Sequence, residues 1–567
     1  MKRSHSGSTF ARGARKRLSR RALLSAAAGL AAAPALRSQS PGSRIELLLD
    51  EPIGRIAPEI YGHFVEHLGG VVYDGIWVGE GSSIPNTGGL RKQLVDALAA
   101  VKPGVIRWPG GCFADQYDWH DGVGPRAQRP RRTNFWVDSR EWPAQANRKG
   151  VQIYDSNHFG TVEFARLCQA TGAEPYIAAN LRSLPAQDFW RWVEYCNSPE
   201  SSTTLADRRA ADGSRAPLNV QYWGVGNESW GCGGNFEPDE YAVEFRRYTA
   251  WVPAYSAGSS GRGPRMVGSG PNGGEIAWTR RFFEAAAKRG GLNRMWGWGL
   301  HHYSWNASAG RTRDWFEGKR DALRFDNEQY YEILAECLRI DPLIRNHWDV
   351  MGEVDREHRI KLVVDEWGSW YAPGTEPFPE ALIGQQNTMR DAVLAGLTLD
   401  TFHRHAEKVG MANIAQLVNC LQSLFLAHED KFCVTPTYHV FGMYAPHQGA
   451  QSLRVVDSAP RASYTRNGKP ASIPGLSASA SLAGKRLTLT VTNPSLDQTR
   501  ETSIVLRGAT VRSAEGTVLA AADAHAHNSF AQPNAVEPKS VAVKASGSEW
   551  THRFPPASVT RVSLELA

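Results

Sequence analysis

The sequence is poor in the features that would name a nucleotide-binding, metal-binding or membrane protein. No GxGxxG and no GxxxxGK[ST] occurs behind any of its apolar runs, so phosphate cradles of the dinucleotide or P-loop kind are not expected. Its seven cysteines (Cys112, Cys168, Cys196, Cys232, Cys337, Cys420 and Cys433) are scattered and odd in number, with no CxxC spacing. That argues against a zinc site or a disulfide framework and leaves room for one or two bridges at most. Beyond residue 36 no apolar run approaches the roughly 20 residues a membrane-spanning helix needs. Acidic residues are missing altogether from residues 1–35, where eight Lys or Arg collect. Taking that segment away moves the formal charge from +7 to −1, so the basic balance of the whole chain does not imply a nucleic-acid partner.

What the N-terminus does contain reads as an export signal of residues 1–35. Ser19-Arg20-Arg21 precedes an alanine-rich apolar stretch from Ala22 to Leu36 that includes Ala33-Pro34-Ala35. A basic start, a short apolar middle and an A-x-A site form a cleavable signal, and paired arginines followed by Leu23 and Leu24 resemble the twin-arginine type. The expectation is an exported, periplasmic or secreted protein, free of the membrane once cleaved near Leu36. Folding before export, in a reducing compartment, would keep buried thiols free.

Between residues 60 and 445, short β-branched runs alternate with amphipathic stretches of helical length. The expected strands are Ile60–Val65, Val105–Trp108, Glu174–Ala179, Val220–Val225, Arg265–Gly268, Met295–Leu300, Lys361–Val364 and Met411–Leu417. Helical spacing marks Phe159–Thr171, Asp188–Cys196, Pro238–Trp251 and Gln386–His403. Eight strand–helix units in one run predict an α/β fold, a (β/α)8 TIM barrel. From residue 446 to 567 the helical period disappears. Leu453–Val456, Leu476–Leu482, Arg486–Val491, Thr502–Leu506 and Val559–Leu566 are short apolar runs between turn residues, which predicts a C-terminal all-β sandwich. Residues 44–59 precede the barrel, and their Arg44–Ile53 run is expected to join that sandwich. Ala509–Gly547 reads as a long loop.

In such a barrel, chemistry sits where strands end. Strand four runs into Gly226-Asn227-Glu228-Ser229-Trp230 and strand seven into Asp365-Glu366-Trp367-Gly368. Other ends carry His63 and Glu66, Arg107 with Pro109-Gly110-Gly111-Cys112, His301-His302-Tyr303, and Gln416-Leu417-Val418-Asn419. A retaining glycosidase needs one carboxylic acid and one nucleophilic carboxylate roughly 5–5.5 Å apart, each shifting the other's proton affinity. Glu228 and Glu366, each behind an apolar strand and beside Trp and Gly, fit that demand. Asp365 adjoins Glu366, and strand alternation is expected to turn it away from the mouth. Alternation also parts His301 from His302, and with no Asp or Cys at ligand spacing no metal is expected. Trp108, Trp230 and Trp370 offer faces for sugar stacking, against a barrel-packing role for each.

The ordered segments IYGHFVEHLGG (60–70), VIRWPGGCFADQYDW (105–119), DGVGPRAQRPRR (121–132), YWGVGNESWGCGGN (222–235), LHHY (300–303), VVDEWGSWY (363–371) and NIAQLVN (413–419) resemble glycoside hydrolase family 51, the α-L-arabinofuranosidases. The resemblance implies Glu228 as acid/base and Glu366 as nucleophile, with Glu66, Arg107, Asn227, His301, Tyr303 and Gln416 binding the furanose. It implies cleavage of terminal arabinofuranosyl groups from plant cell-wall arabinan or arabinoxylan without a cofactor, and a homo-oligomer, hexameric by analogy. Cys112 departs from the Asn that some members carry there, and a thiol is a weak partner for a sugar hydroxyl, so it stays outside the binding set. Two other readings are a retaining glycosidase acting on β-linked xylan or glucan and a carbohydrate-binding protein without activity.

Overall fold

A computed structural model describes residues 42–137, 154–255, 263–305, 318–379 and 381–567. The expected signal at residues 1–35 lies outside the described residues. Eight parallel strands close on themselves: Gly62–Phe64, Val105–Trp108, Glu174–Ala179, Tyr222–Val225, Arg265–Gly268, Met295–Ser304, Lys361–Ser369 and Val409–Ile414. Closure comes from strand eight pairing with strand one, Asn413 opposite Gly62. Every residue of strands one, two and four is buried. Such strands face side chains on both surfaces, which is why they read as near-continuous apolar runs rather than alternating ones. Val105, Tyr176, Tyr222, Val267, Val363 and Met411 pack together as a layer of the barrel filling.

The helix between strands seven and eight, Met389–Arg404, is buried from Met389 to His403 because barrel and C-terminal sheet cover it on opposite sides. Its start is fixed by a reciprocal cap in which Arg390 N donates to Thr388 Oγ1 and Thr388 N to Asp391 Oδ2. The sheet has nine strands in the order Lys539–Val541, Val511–Leu519, Ser558–Leu566, Arg486–Asn493, Ser477–Ala483, Gln451–Ser458, Ser43–Arg55, Arg500–Arg507 and Glu549–Phe554. The strand Ser43–Arg55 inserts antiparallel to Gln451–Ser458 and parallel to Arg500–Arg507. One apolar core draws on strands across the sheet, from Val511 to Phe554.

Two regions differ from the sequence reading. Ala509–Gly547 is not all loop, for it holds the strands Val511–Leu519 and Lys539–Val541. The Ser, Ala and Gly within Val511–Leu519 carry little β-preference, which pairing with Ser558–Leu566 overrides, and Lys539–Val541 then adds to its free edge. Strands six and seven run on to Ser304 and Ser369, beyond their β-branched runs, and these extensions carry site residues. Among the described residues no helix is long and apolar enough to cross a membrane.

Candidate active site

The mouth of the barrel opens into a cavity of about 880 Å³ lined by Glu66, Asn227, Glu228, His301, Tyr303, Glu366 and Gln416 from five strand ends. Arg107, 1% exposed, lies beneath it and acts as a fork. Its Nη1 donates to Glu366 Oε1 at 2.7 Å and its Nη2 to Asn227 Oδ1 at 2.6 Å. Burial pulls this guanidinium down, but Asp365 and Glu366 outweigh it and hold it above its ordinary value. The other oxygen of Glu366 accepts from Tyr303 Oη at 2.7 Å. Both oxygens are thus held by donors, which leaves the carboxylate a single orientation.

Glu228 stands across the mouth. An oxygen of Glu228, an oxygen of Glu366 and a ring nitrogen of His301 lie within 4.8 Å of one another. His301 Nδ1 is 2.9 Å from Glu228 Oε1 and 3.5 Å from Glu366 Oε2, while Nε2 is 3.3 Å from Asp365 Oδ1. Burial opposes a charged ring, yet Glu366, Asp365 and Glu228 outweigh it and push His301 up to about 10. The charged ring therefore turns Nδ1 to the acidic pair and Nε2 to Asp365. Glu228 itself sits at φ 40°, left-handed backbone that a non-glycine residue rarely takes, following Gly226 at φ 81°. The turn is held from below: Asn227 N donates to Asp115 Oδ2 at 3.1 Å and Ser229 N to Ser269 Oγ at 3.1 Å. Burial pushes the Asp115 carboxyl up to about 7.

Glu66 closes the far end. Its Oε1 accepts from Phe113 N (3.0 Å) and Trp136 Nε1 (3.2 Å), and its Oε2 from Gln416 Nε2 (3.2 Å). Burial first, and the charge of Glu366 with it, push Glu66 up to about 8. A Cβ on Gly111 would fall 2.5 Å from both Glu66 oxygens, so the second glycine of the PGG turn is required by close approach.

All eight site residues named from the sequence thus meet at one cavity or directly beneath it. Asp365 corrects the alternation argument: it too points inward, accepting from Tyr176 Oη at 3.0 Å. Register shifts between Gly299 and His301 and between Val364 and Trp367 break the period of two, as a bulge does. His302 takes a different partner from His301, the Glu336 carbonyl at 3.0 Å, although both rings line the cavity. Trp108 is fully buried and stacked on Phe164, so it belongs to the barrel packing, whereas Trp230 and Trp370 line the cavity together with Trp136 and Trp305. Trp136 and Trp305 lie outside the strand-end segments, and no local pattern marks them. Cys112 is bridged to Cys232, and the other five cysteines are free and buried. A separation of 120 residues hides such a pair from any spacing rule.

Comparison with known proteins follows the same outline. Residues 97–257 match the family model described as alpha-L-arabinofuranosidase 1 domain, and residues 365–558 match the alpha-L-arabinofuranosidase C-terminal domain. An intracellular exo-α-L-arabinofuranosidase of Bacteroides ovatus is 36% identical over 96% of this chain and 99% of its own length. An intracellular exo-α-(1→5)-L-arabinofuranosidase 1 of Bacillus subtilis (strain 168) is 28% identical over 90% of this chain and 97% of its own. The crystal structure of the GH51 arabinofuranosidase from Xanthomonas axonopodis pv. citri superposes with a TM-score of 0.82 at 36% identity, covering 92% of this chain and all of that one. These relatives run against the expectation of export by a twin-arginine signal, since both curated enzymes are named intracellular. Basic residues ahead of an alanine-rich run are a compositional signature only, and a charged tail followed by a short helix shares it.

Proposed function

The chain belongs to glycoside hydrolase family 51 and is a retaining α-L-arabinofuranosidase, and from that premise we propose that Glu366 is its nucleophile and Glu228 its general acid and base. The observation that carries the assignment is the contrast in how the two carboxylates are held. Glu366 has each oxygen fixed by a donor, Arg107 on one and Tyr303 on the other, as an attacking anion requires. Glu228 has one oxygen on His301 and a side chain that is more exposed to the cavity, 18% against 7% for Glu366.

In the first step a Glu366 oxygen forms a bond to the anomeric carbon while the bond to the glycosidic oxygen breaks. Glu228 gives its proton to that departing oxygen. In the second step Glu228 takes a proton from water, whose oxygen displaces Glu366 and restores the starting configuration. The His301 imidazolium, facing both glutamates, stabilises whichever is anionic at each stage. Asn227, held by Arg107, is assigned to the 2-hydroxyl, and Glu66 with Gln416 to the outer hydroxyls of the ring.

Its substrates are arabinose-containing glycans. The finer reading is removal of terminal, non-reducing α-L-arabinofuranosyl groups from plant cell-wall arabinan or arabinoxylan, and a cavity end closed by Glu66, Trp136 and Gln416 supports an exo-acting site. Turnover of a chromogenic arabinofuranoside against a xyloside and a cellobioside tests the sugar specificity. The homo-oligomer implied by the resemblance, a hexamer, is checked by light scattering.

Azide separates the two glutamates by stereochemistry. In Glu366→Ala, azide enters the vacated space and attacks from that face, giving an arabinosyl azide of inverted configuration. In Glu228→Ala it attacks the covalent intermediate from the opposite face, giving retained configuration. An inverted azide from Glu228→Ala overturns the assignment.

A further inference from the structure

The bridge between Cys112 and Cys232 ties the loop after strand two to the loop that carries Glu228. Both cysteines line the cavity. Cys232 Sγ lies 3.8 Å from Glu228 Oε2 and 3.8 Å from Asn227 Nδ2. An oxygen of Glu228 and the two sulfurs are within 4.8 Å of one another. Two sulfurs and a carboxylate at this spacing are the donor set of a zinc-type site whose thiols are consumed by their own bond.

We propose, resting on the assignment of Glu228 as acid and base, that opening the Cys112–Cys232 bridge creates a site for a thiophilic divalent cation such as Zn²⁺, held by Cys112 Sγ, Cys232 Sγ and Glu228 Oε2, and that its occupancy stops glycoside cleavage. A tetrahedral zinc takes thiolates at about 2.3 Å, which sets two sulfurs about 3.8 Å apart. The Cα atoms stand 5.6 Å apart, and rotation of the two side chains about Cα–Cβ provides that separation without moving the loops. The opening step balances with a phosphine as reductant. The S–S bond breaks, each sulfur gains an electron and a proton, and the phosphine supplies both electrons while taking the oxygen of one water. Metal entry then releases the two thiol protons to solvent. Glu228, bound to the cation through Oε2, has no proton to give a leaving group. While the bridge is closed neither sulfur can become a thiolate, and no such site exists.

The test uses the full chain, untreated and phosphine-treated, without denaturant. Thiol titration is expected to reveal two new reactive thiols in the treated enzyme. Zn²⁺ should then bind once per chain and reduce turnover of an alkyl arabinofuranoside about 10²-fold or more, the range that general acid help is worth. A chelator should restore it, and the untreated enzyme should respond to neither. Co²⁺ reads the site independently of activity, through a thiolate-to-cobalt charge-transfer band present only after reduction. Cys112→Ser and Cys232→Ser should each abolish that band. No thiols under native conditions, equal Zn²⁺ binding before and after reduction, or a band that survives in either serine variant overturns the site. A cobalt band accompanied by undiminished turnover overturns Glu228 as a ligand and the inhibition with it, whereas failure of the acid role is read separately, from equal losses of Glu228→Ala on alkyl and activated aryl arabinofuranosides.

Discussion

Two buried polar networks in this molecule use the same residue types to opposite ends. At the mouth of the barrel, His301 faces Glu228, Glu366 and Asp365 and is pushed up to about 10. At the seam where the helix Met389–Arg404 packs on the sheet, His403 meets Tyr61 Oη at 2.8 Å and Ser479 Oγ at 2.6 Å, and His447 meets Ser481 Oγ at 2.8 Å. Burial holds both of these rings below their ordinary value, His447 down to about 3. The seam's one acid in this cluster, Asp400, accepts from Tyr444 Oη at 2.8 Å and is pushed up to about 6 by burial. The difference is the local balance of charge. Several carboxylates around one ring make an imidazolium, whereas hydroxyls around it make a neutral spacer. One arrangement gathers charge at an open cavity, and the other satisfies buried polar groups at a packing interface.

Isosteric amides at the two acids should part the networks most sharply. Glu366→Gln is expected to lower kcat by about 10⁴-fold or more, as the loss of a nucleophile does in other covalent mechanisms. Asp400→Asn should leave kcat within about twofold of the parent enzyme, because the seam touches no substrate. Steady-state kinetics on an aryl arabinofuranoside measures both, and similar losses in the two variants would erase the distinction.

Next in size is Glu228→Ala. It should slow alkyl arabinofuranosides by about 10²–10⁴-fold and activated aryl arabinofuranosides much less, since a good leaving group departs without a proton. Equal losses on the two substrates would remove the acid role.

Asp365→Asn probes the charge that holds His301 protonated. With one carboxylate gone, the His301 pKa should fall, and the alkaline limb of the kcat profile should move to lower pH, with a loss of roughly tenfold at neutral pH. An unchanged alkaline limb would disconnect Asp365 from the acidic pair.

The smallest effect belongs to the seam and to stability rather than rate. His447 is neutral in the fold down to about pH 3, whereas in the unfolded chain it charges below about 6.5. Over that window the unfolded state binds more protons, so stability falls as pH drops from 6.5 toward 3. Asp400 acts with the opposite sign, its protonated form favouring the fold, so that its contribution is lost as pH rises from about 4 through 6, and Asp115 and Glu66, held at about 7 and 8, side with it. His63, also held at about 3, and His347 and His439, each at about 4, side with His447. The net expectation is a Tm that declines from pH 6.5 to 4, and His447→Gln should flatten that decline. Each pKa unit is worth about 1.4 kcal/mol, so a single ring contributes more than about 1 kcal/mol. A decline as steep in His447→Gln as in the parent enzyme would exclude this ring as a contributor.

Sequence carried the mouth further than the seam. Glu228, Glu366, Tyr303 and Gln416 were legible because each follows its own apolar strand, a local pattern that the barrel converts into convergence. Asp365 was not, since the bulges on strand seven depend on pairing with its neighbours. The Cys112–Cys232 bridge and the placement of Asp115 under Asn227 join strand two to strand four through space. Nothing marked the seam, because Ser479, Ser481, Thr490 and Thr492 look like any solvent face of a sheet until the helix Met389–Arg404 covers them. Buried hydroxyls and exposed hydroxyls share one alphabet.

The left-handed backbone at Glu228 bears on what selection and engineering can do with this enzyme. At φ 40° a side chain crowds its own peptide, a strain of about 1–2 kcal/mol that glycine does not feel. The usual order of substitutions is therefore reversed at this position, and Glu228→Gly is expected to melt above Glu228→Ala although glycine ordinarily weakens a fold. Thermal denaturation of the two variants reads the difference. Selection for thermal tolerance alone would drift toward losing the acid, so a stabilisation campaign on this scaffold has to screen turnover at every round.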